Sequence, residues 1–130
     1  MTTDPRRIHV SAAVIRDDVE RLLLVRKRGT TAFMQPGGKP EPGESPAETL
    51  SRELGEELGL IVAPDALHPL GRFEADAANE PGHRVVADVF VADITGQSPA
   101  AAAEIEELRW VSALDAESLE IAPLARTNLR

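Results

Sequence analysis

The sequence predicts an α+β fold built as a single domain over residues 1–130. Segments rich in branched apolar residues predict strands both before and after one amphipathic helix. A second helix is predicted near the end of the chain, and the order strand, strand, helix, strands, helix is typical of mixed α+β domains. A chain of 130 residues has the size of one domain that buries a hydrophobic core.

Two strands are predicted before the first helix. Residues 8–15 are rich in branched side chains that alternate imperfectly with other residues, a pattern typical of a strand. Residues 22–25 form a continuous apolar run, which predicts a strand buried on both faces. Because only a charged turn over residues 16–20 separates the two strands, we expect them to form a hairpin.

Start and stop signals agree on a helix that begins after Ser45 and ends before Gly59. Ser45 and Glu48 form a capping box, and Pro46 stands at the first helical position. Gly59 follows the last periodic residue, where a left-handed cap is expected. The apolar stripe that would pack on the core consists of Ala47, Leu50, Leu54 and Leu58.

The rest of the chain predicts more strands and a closing helix. The strands predicted after the first helix are residues 67–73, 85–94 and 105–111. Residues 75–82 are small and polar, and we expect them to form a mobile loop close to the functional site. Residues 112–115 predict a turn into a short helix, and residues 119–129 predict a closing helix with Pro123 in its first turn.

The composition excludes several classes of function. The chain has no cysteine, so disulfides, thiolate zinc sites and cysteine nucleophiles are excluded. The net charge of −8 and the aromatic content of 3% disfavour a nucleic-acid partner, because phosphates attract basic surfaces and single strands stack on aromatic rings. The charge also disfavours acidic membranes, and no signal-peptide pattern is visible. We therefore expect a cytoplasmic protein with no membrane partner.

Three glutamates on the predicted helix indicate a cation site. Glu53, Glu56 and Glu57 stand at positions i, i+3 and i+4, so their side chains share one stretch of helix surface beside the apolar stripe. Like charges at this spacing repel each other by about 0.2–0.5 kcal/mol per pair. A hard divalent cation, which prefers oxygen ligands, would remove this repulsion.

The segment from Gly38 to Leu60 resembles the Nudix box, written G-x5-E-x7-R-E-U-x-E-E-x-G-U with U an aliphatic residue. All nine specified positions agree, namely Gly38, Glu44, Arg52, Glu53, Leu54, Glu56, Glu57, Gly59 and Leu60. A chance match is on the order of 10⁻⁹ per starting position. The resemblance implies an α/β/α sandwich around a mixed β-sheet. It also implies a hydrolase that cleaves a pyrophosphate linkage in a nucleoside diphosphate derivative.

The resemblance implies a metal site that takes Mg²⁺, with Mn²⁺ as an alternative. The implied metal-binding residues are Gly38, Glu44, Glu53, Glu56 and Glu57, with Glu44 in a supporting role. Arg52 is implied to orient a glutamate through a charge-assisted hydrogen bond. Gly37 and Gly38 are expected to allow close approach of the backbone.

The general base has more than one candidate. The family often uses the residue that corresponds to Glu53, whereas some members use a glutamate from a later loop. The later candidates here are Glu104, Glu106 and Glu107, and we favour Glu104, six residues before Trp110. The predicted catalytic residues are therefore Arg52, Glu53, Glu56 and Glu104.

Basic residues before the box are candidates for binding substrate phosphates. The resemblance assigns this role to the arginine that ends a strand in the setting LLLVR, which is Arg26, with Arg28 as second choice. The two arginines are expected on the same side of the strand. The predicted substrate-binding residues are Arg26, Arg28, Gly37 and Lys39.

Elimination among subfamily markers leaves a nucleoside triphosphate or a related small nucleotide as the expected substrate. An ADP-ribose or nucleotide-sugar pyrophosphatase is the alternative within the family. A non-catalytic Nudix module that binds a nucleotide metabolite is the alternative from another class. The expected partner is a small nucleotide, and the small residues and edge strands are compatible with a homodimer.

Overall fold

A computed structural model describes residues 6–129. The strands in this part of the chain are β1 (Arg7–Val14), β2 (Leu22–Lys27), β3 (Gly37–Gly38), β4 (His68–Asp76), β5 (Arg84–Val91) and β6 (Ile105–Val111). The helices are α1 (Pro46–Leu58) and α2 (Pro123–Arg126), and short 3₁₀ turns occur at Pro64–Ala66 and Asp115–Ser118. Within the described residues, neither helix has the length and apolar character that crossing a bilayer requires.

The strands form one mixed sheet and one separate ladder. The four-stranded sheet has the order β3-β1-β5-β4, in which β1 runs parallel to β5 and the other neighbours are antiparallel. Strands β2 and β6 form an antiparallel pair. The strands predicted over residues 67–73, 85–94 and 105–111 are confirmed, although β4 extends to Asp76 and β5 already ends at Val91.

The hairpin expected between the first two strands forms only beside its turn. Arg16 and Leu22 form an antiparallel bridge, and Leu23 N–H donates to the Ile15 carbonyl at 2.9 Å. The ladder partner of β2 is β6, whereas the neighbours of β1 in its sheet are β3 and β5. Because β3 and β5 pair with β1 along its two hydrogen-bonding edges, the pairing of β2 with β1 does not continue as a ladder.

Helices cover both faces of the strands, which confirms the α/β/α sandwich. In β2, Leu23 and Val25 belong to the core cluster that includes the apolar stripe of α1. Leu22 and Leu24 belong to the opposite cluster, which includes Ala125 of α2. Alternate residues of a strand point to opposite faces, so this one apolar run supplies both halves of the core.

The helix α1 begins and ends as the sequence predicts. The Ser45 side chain accepts from Glu48 N–H, the Glu48 side chain accepts from Ser45 N–H, and Pro46 is the first helical residue. Gly59 adopts a left-handed conformation with φ of 68°, which suits glycine because it has no Cβ. Leu50, Leu54 and Leu58 of the predicted stripe are fully buried.

The closing helix is shorter than predicted. It spans only Pro123–Arg126 instead of residues 119–129, although Pro123 does stand in its first turn. Residues before it run alongside Phe33, which donates to the Glu120 carbonyl and accepts from Ala122 N–H, both at 2.8 Å. These two bonds keep the segment extended and so delay the start of the helix until Pro123.

Replacing Ser45 with alanine tests the capping box. We expect Ser45→Ala to lower the free energy of unfolding by about 1 kcal/mol, because the helix then has one backbone N–H without its partner. Chemical denaturation followed by circular dichroism measures the loss. Ser98→Ala, at an exposed loop position, is the control, and an equal loss in both variants would contradict the role of the cap.

Candidate active site

A cavity of about 630 Å³ opens between the front of α1, the segment that holds β3, and the loop that precedes β6. Its volume falls within the range of small-molecule sites. One part of its wall is polar and carries Gly37, Gly38, Lys39, Arg52, Glu53, Glu56 and Glu104, all predicted site residues. The other part is apolar and includes Ile8, Val10, Met34, Val85 and Leu124. Within the described chain, no aromatic side chain lines the cavity.

The two glycines of β3 bring the backbone against α1. A Cβ at Gly38 would collide with the carboxylate of Glu53, and a Cβ at Gly37 would collide with the Ser11 carbonyl oxygen. Gly37 N–H also donates to Glu57 Oε1 at 3.1 Å. The close approach expected of both glycines is confirmed, and it places backbone polar groups beside two of the predicted metal-binding carboxylates.

Arg52 connects most of the acidic side chains of the site. Its Nε and Nη2 donate to both carboxylate oxygens of Glu44, at 2.7 and 2.9 Å. Its Nη1 donates to Glu53 Oε1 at 2.5 Å and to Glu56 Oε2 at 3.3 Å. The hydrogen bonds from Arg52 lower the pKa of Glu44 to about 2. Glu44 is thus held ionised. It does not line the cavity, which favours the role of supporting the other glutamates through Arg52.

Glu57 is the most deeply buried acid of the site. Its side chain lies behind the cavity wall, with only 2% of the residue exposed. One oxygen accepts from Gly37, whereas Oε2 is buried with no hydrogen-bond partner in the described chain. Burial raises the pKa of Glu57 to about 7. An unpartnered buried carboxylate oxygen is costly, so it marks a position where a ligand is expected.

The donor set of the site fits a divalent cation. The Glu53 carboxylate lies against Gly38, the Glu57 carboxylate accepts from Gly37 N–H, and the Glu56 carboxylate accepts from Arg52. All three offer oxygen ligands, which hard cations prefer. Among residues 6–129, no three acidic or histidine side chains already converge as a finished ligand set. Arg52 instead forms ion pairs with both Glu53 and Glu56.

The basic side chain at the end of β2 that lines the cavity is Lys27, not one of the predicted arginines. Arg26 donates to the Thr30 carbonyl at 2.9 Å and reaches Glu107 at 3.4 Å. Arg28 donates to the Ala103 carbonyl at 3.2 Å. Neither arginine lines the cavity, whereas Lys27 does. The structure therefore does not bring Arg26 and Arg28 to the site with the other predicted residues.

Sequence reasoning missed Lys27, although a signal was present. Side chains alternate along a strand, so Lys27 lies on the face of Leu23 and Val25. That face belongs to the core cluster packed against α1, the helix that carries the glutamates. The alternation of β2 therefore directs Lys27, rather than the arginines beside it, toward the acidic site.

Among the three later glutamates, the structure brings only Glu104 to the cavity. Glu104 Oε1 lies 3.2 Å from Lys27 Nζ. Glu107 instead pairs with Arg109 at 2.9 Å, and Glu106 lies 3.7 Å from Arg28. The geometry therefore favours Glu104 among these candidates, as the sequence does.

The predicted loop after β4 contributes a wall of the site. The sequence predicts Ala75 in this loop, but Ala75 belongs to β4, which continues to Asp76. Asp76 and the four residues that follow it line the cavity opposite α1. The expected proximity of this loop to the site is thus confirmed.

Known proteins resemble most of the chain. A family model described as NUDIX domain matches residues 5–129. The 8-oxo-dGTP diphosphatase of Haemophilus influenzae is 35% identical over 75 residues, which cover 55% of each chain. The putative 8-oxo-dGTP diphosphatase of Bacillus subtilis is 31% identical over 100 residues, 76% of this chain and 62% of the relative. The matches thus span about half to three-fifths of these two relatives.

The fold is shared with solved structures. The MutT protein from Methanosarcina mazei Go1 superposes with a TM-score of 0.76 at 25% identity and covers 98% of this chain and 93% of its own. A NUDIX hydrolase from Nitrosomonas europaea superposes with a TM-score of 0.73 at 26% identity, over 93% and 84% of the two chains. Since the family model, the sandwich fold and the acidic site on α1 agree, the chain belongs to the Nudix family.

Proposed function

We propose that this protein is a divalent-metal-dependent hydrolase that cleaves the pyrophosphate linkage of a nucleoside diphosphate derivative. The observation that carries the proposal is the buried Oε2 of Glu57, which has no partner in the described chain and lies in a site built from other carboxylates. A site that served only stability would satisfy this oxygen, because the cost of leaving it unpaired is large. The cavity lined by Glu53 and Glu56 would supply the place for a substrate.

Glu53, Glu56 and Glu57 would hold the cation, with Gly38 beside them and Glu44 fixing Arg52 behind them. Mg²⁺ is the proposed metal, with Mn²⁺ as an alternative, because both accept oxygen ligands. When bound, the cation neutralises phosphate charge and orients the phosphates for attack. Arg52 keeps Glu53 and Glu56 in place through its hydrogen bonds to both.

Glu104 or Glu53 would act as the general base. In that role the carboxylate takes a proton from water as the water oxygen attacks phosphorus and the anhydride P–O bond breaks. Glu104 is supported by its place at the cavity edge and by its exposure of 59%, which leaves room for water. Burial raises the pKa of Glu53, so that side chain is also favoured as a proton acceptor.

A nucleoside triphosphate or related small nucleotide is the proposed substrate. Two matched relatives are named for 8-oxo-dGTP, which supports this class. A relative from Methanocaldococcus jannaschii is named ADP-ribose pyrophosphatase and is 32% identical over 97 residues, so ADP-ribose is the second candidate. The apolar part of the cavity, with Val10, Val85 and Leu124, offers aliphatic rather than aromatic contact to a base.

Further proposals concern the domain organisation, the partners and the location of the protein. We propose that residues 1–130 form one Nudix domain, which the match over residues 5–129 supports. The net charge of −8 supports the absence of a nucleic-acid partner. The cytoplasmic location and the homodimer stay predictions.

Substrate turnover is the first test of the proposed function. We expect the purified protein with Mg²⁺ to hydrolyse one nucleotide class in a panel of nucleoside triphosphates, oxidised triphosphates, ADP-ribose and nucleotide sugars. Released phosphate or pyrophosphate is the readout, and EDTA should abolish it. Tight binding of a nucleotide without any turnover would instead favour a non-catalytic module.

Replacement of Glu57 tests the metal site. We expect Glu57→Gln to lower kcat by at least about 100-fold, because the amide replaces a charged oxygen ligand in a water-excluded site. Isothermal calorimetry with Mg²⁺ should show weaker binding of the metal alone. Glu117→Gln, which removes the same charge from an exposed position, is the control. An unchanged metal affinity in Glu57→Gln would contradict the proposed ligand.

The same variant should raise stability in the absence of metal. The folded-state pKa of Glu57 lies near 7 and its ordinary value is 4.5, so the folded protein binds more protons than the unfolded chain between these values. Stability therefore falls as pH rises from 4.5 to 7. In EDTA at pH 8, Glu57→Gln should raise the free energy of unfolding by on the order of 2–3 kcal/mol. Urea titrations at pH 8 and pH 5 measure the difference, and an equal gain at both values would contradict this explanation.

Replacement of the later glutamates tests the general base. If Glu104 takes the proton, Glu104→Gln should lower kcat by about 10²- to 10⁴-fold, whereas Glu106→Gln should retain most activity. The kcat of each variant is measured at saturating substrate across the pH range. A Glu104→Gln enzyme with wild-type kcat would leave Glu53 as the general base.

A further inference from the structure

We propose that Arg28 is a positioning residue for Glu104, because it holds the turn that directs the Glu104 carboxylate to the cavity. The inference rests on the proposed function, in which Glu104 is a candidate for the general base. It gives Arg28 a role other than the phosphate binding that the resemblance implies. It is carried by the backbone conformation of Ala103 and by two hydrogen bonds from Arg28 to carbonyls of the turn.

Glu104 lies in a tight turn immediately before β6. Ile105 N–H donates to the Ala102 carbonyl at 3.0 Å, so Ala103 and Glu104 are the two central residues of a β-turn. Ala103 has φ of 53°, and among the described residues Glu20 is the only other non-glycine residue with a positive φ. Turns with positive φ at the first central residue favour glycine there, because a Cβ is crowded in this conformation. An alanine at this position therefore needs contacts from outside the turn to hold it.

Arg28 contacts the carbonyls of both central residues. Its backbone N–H donates to the Glu104 carbonyl at 2.8 Å, and its Nη2 donates to the Ala103 carbonyl at 3.2 Å. The Ala103 carbonyl belongs to the peptide that joins the two central residues. Turn types that share the φ of the first central residue differ in the orientation of this peptide. A donor on its oxygen therefore selects one orientation, and with it the direction of the Glu104 side chain.

The other bonds of the turn fix its place rather than the orientation of its central peptide. Ala102 N–H donates to the Glu57 carbonyl at 2.9 Å, which anchors the turn to the end of α1. The bond from Arg28 N–H to the Glu104 carbonyl joins the turn to the end of β2. Among the described residues, Nη2 of Arg28 is the only donor to the Ala103 carbonyl. The guanidinium thus supplies a restraint that these backbone bonds do not.

The Glu104 side chain depends on its backbone for its direction. Its carboxylate lies 3.2 Å from Lys27 Nζ and is 59% exposed, and an ion pair with this much solvent is a weak restraint. A general base must lie within hydrogen-bond reach of the proton that it takes, and small displacements lower the rate. The orientation of the turn is therefore expected to affect the chemical step.

Arg28 itself is placed for positioning rather than for contact with substrate. Its side chain does not line the cavity, whereas Glu104 does. Its ion pair with Glu106 spans 3.7 Å between side chains that are 67% and 50% exposed, so this pair contributes little. The effect of Arg28 on the site is thus expected to pass through the carbonyl of Ala103.

Steady-state kinetics of Arg28→Met separates positioning from substrate binding. We expect kcat to fall by about 3- to 10-fold, as the loss of one hydrogen bond allows, while KM stays within about twofold. Arg28→Lys keeps a charged donor and should retain more of kcat. Arg72→Met is the control, because it removes a similarly exposed arginine whose partner Asp88 lies outside the cavity wall. A raised KM with unchanged kcat would overturn the proposal in favour of phosphate binding.

A glycine at the strained position tests whether the effect of Arg28 passes through the turn. Glycine adopts a positive φ without a steric cost, so the turn then depends less on the guanidinium. The loss of kcat caused by Arg28→Met should therefore be smaller in the Ala103→Gly background. Equal losses in the two backgrounds would overturn the turn as the link between Arg28 and Glu104.

Amide hydrogen exchange measures the turn without any substrate. We expect Arg28→Met to speed exchange several-fold at Ile105 N–H, the group that closes the turn. An unchanged exchange rate would overturn the claim that Arg28 holds the turn. Faster exchange with unchanged kcat would overturn the claim that the turn positions Glu104. If the unaltered protein turned over no substrate, the proposed function would fail together with the catalytic role of the turn, whereas the exchange rate would still decide whether Arg28 holds it.

Discussion

The burial of the Glu57 carboxylate is the constraint on which the rest of the site depends. A carboxylate removed from water is costly unless charges or hydrogen bonds compensate it. The chain compensates only part of this cost, through Gly37 N–H and the nearby charge of Lys27. The remaining oxygen has no partner within the described residues, and this oxygen is the reason that the proposed function places a cation beside Glu57.

The glycines of β3 and the arginine of α1 make this burial compatible with a folded chain. Any side chain at Gly38 would occupy the position of the Glu53 carboxylate, so the approach of β3 to α1 depends on the missing Cβ. Arg52 then shares one positive charge among Glu44, Glu53 and Glu56. This arrangement limits the repulsion between these three glutamates.

The sandwich holds both sides of the cavity at fixed positions. The buried stripe of α1 packs against β2 and β5 through one core cluster, which sets the glutamates beside the end of β2. In the loop before β6, backbone N–H groups donate to the Glu57 and Leu58 carbonyls at the end of α1. The candidate ligands therefore sit on a rigid helix, whereas Glu104 and the residues after Asp76 come from loops that close the cavity around it.

The sequence by itself determined the helix, its caps and the set of acidic residues, because these follow from spacing within one continuous segment. Ser45, Glu48 and Gly59 interact with neighbours a few residues away, so their roles are local. Only the tertiary structure decided which edges the strands share, since the hairpin expected for β2 depends on whether β1 still has a free edge. It also separated Lys27 from Arg26 and Arg28, and Glu104 from its neighbours, because their partners lie far away along the chain. Side chains of similar chemistry in one short run differ only in what packs opposite them, and that is a property of the folded chain.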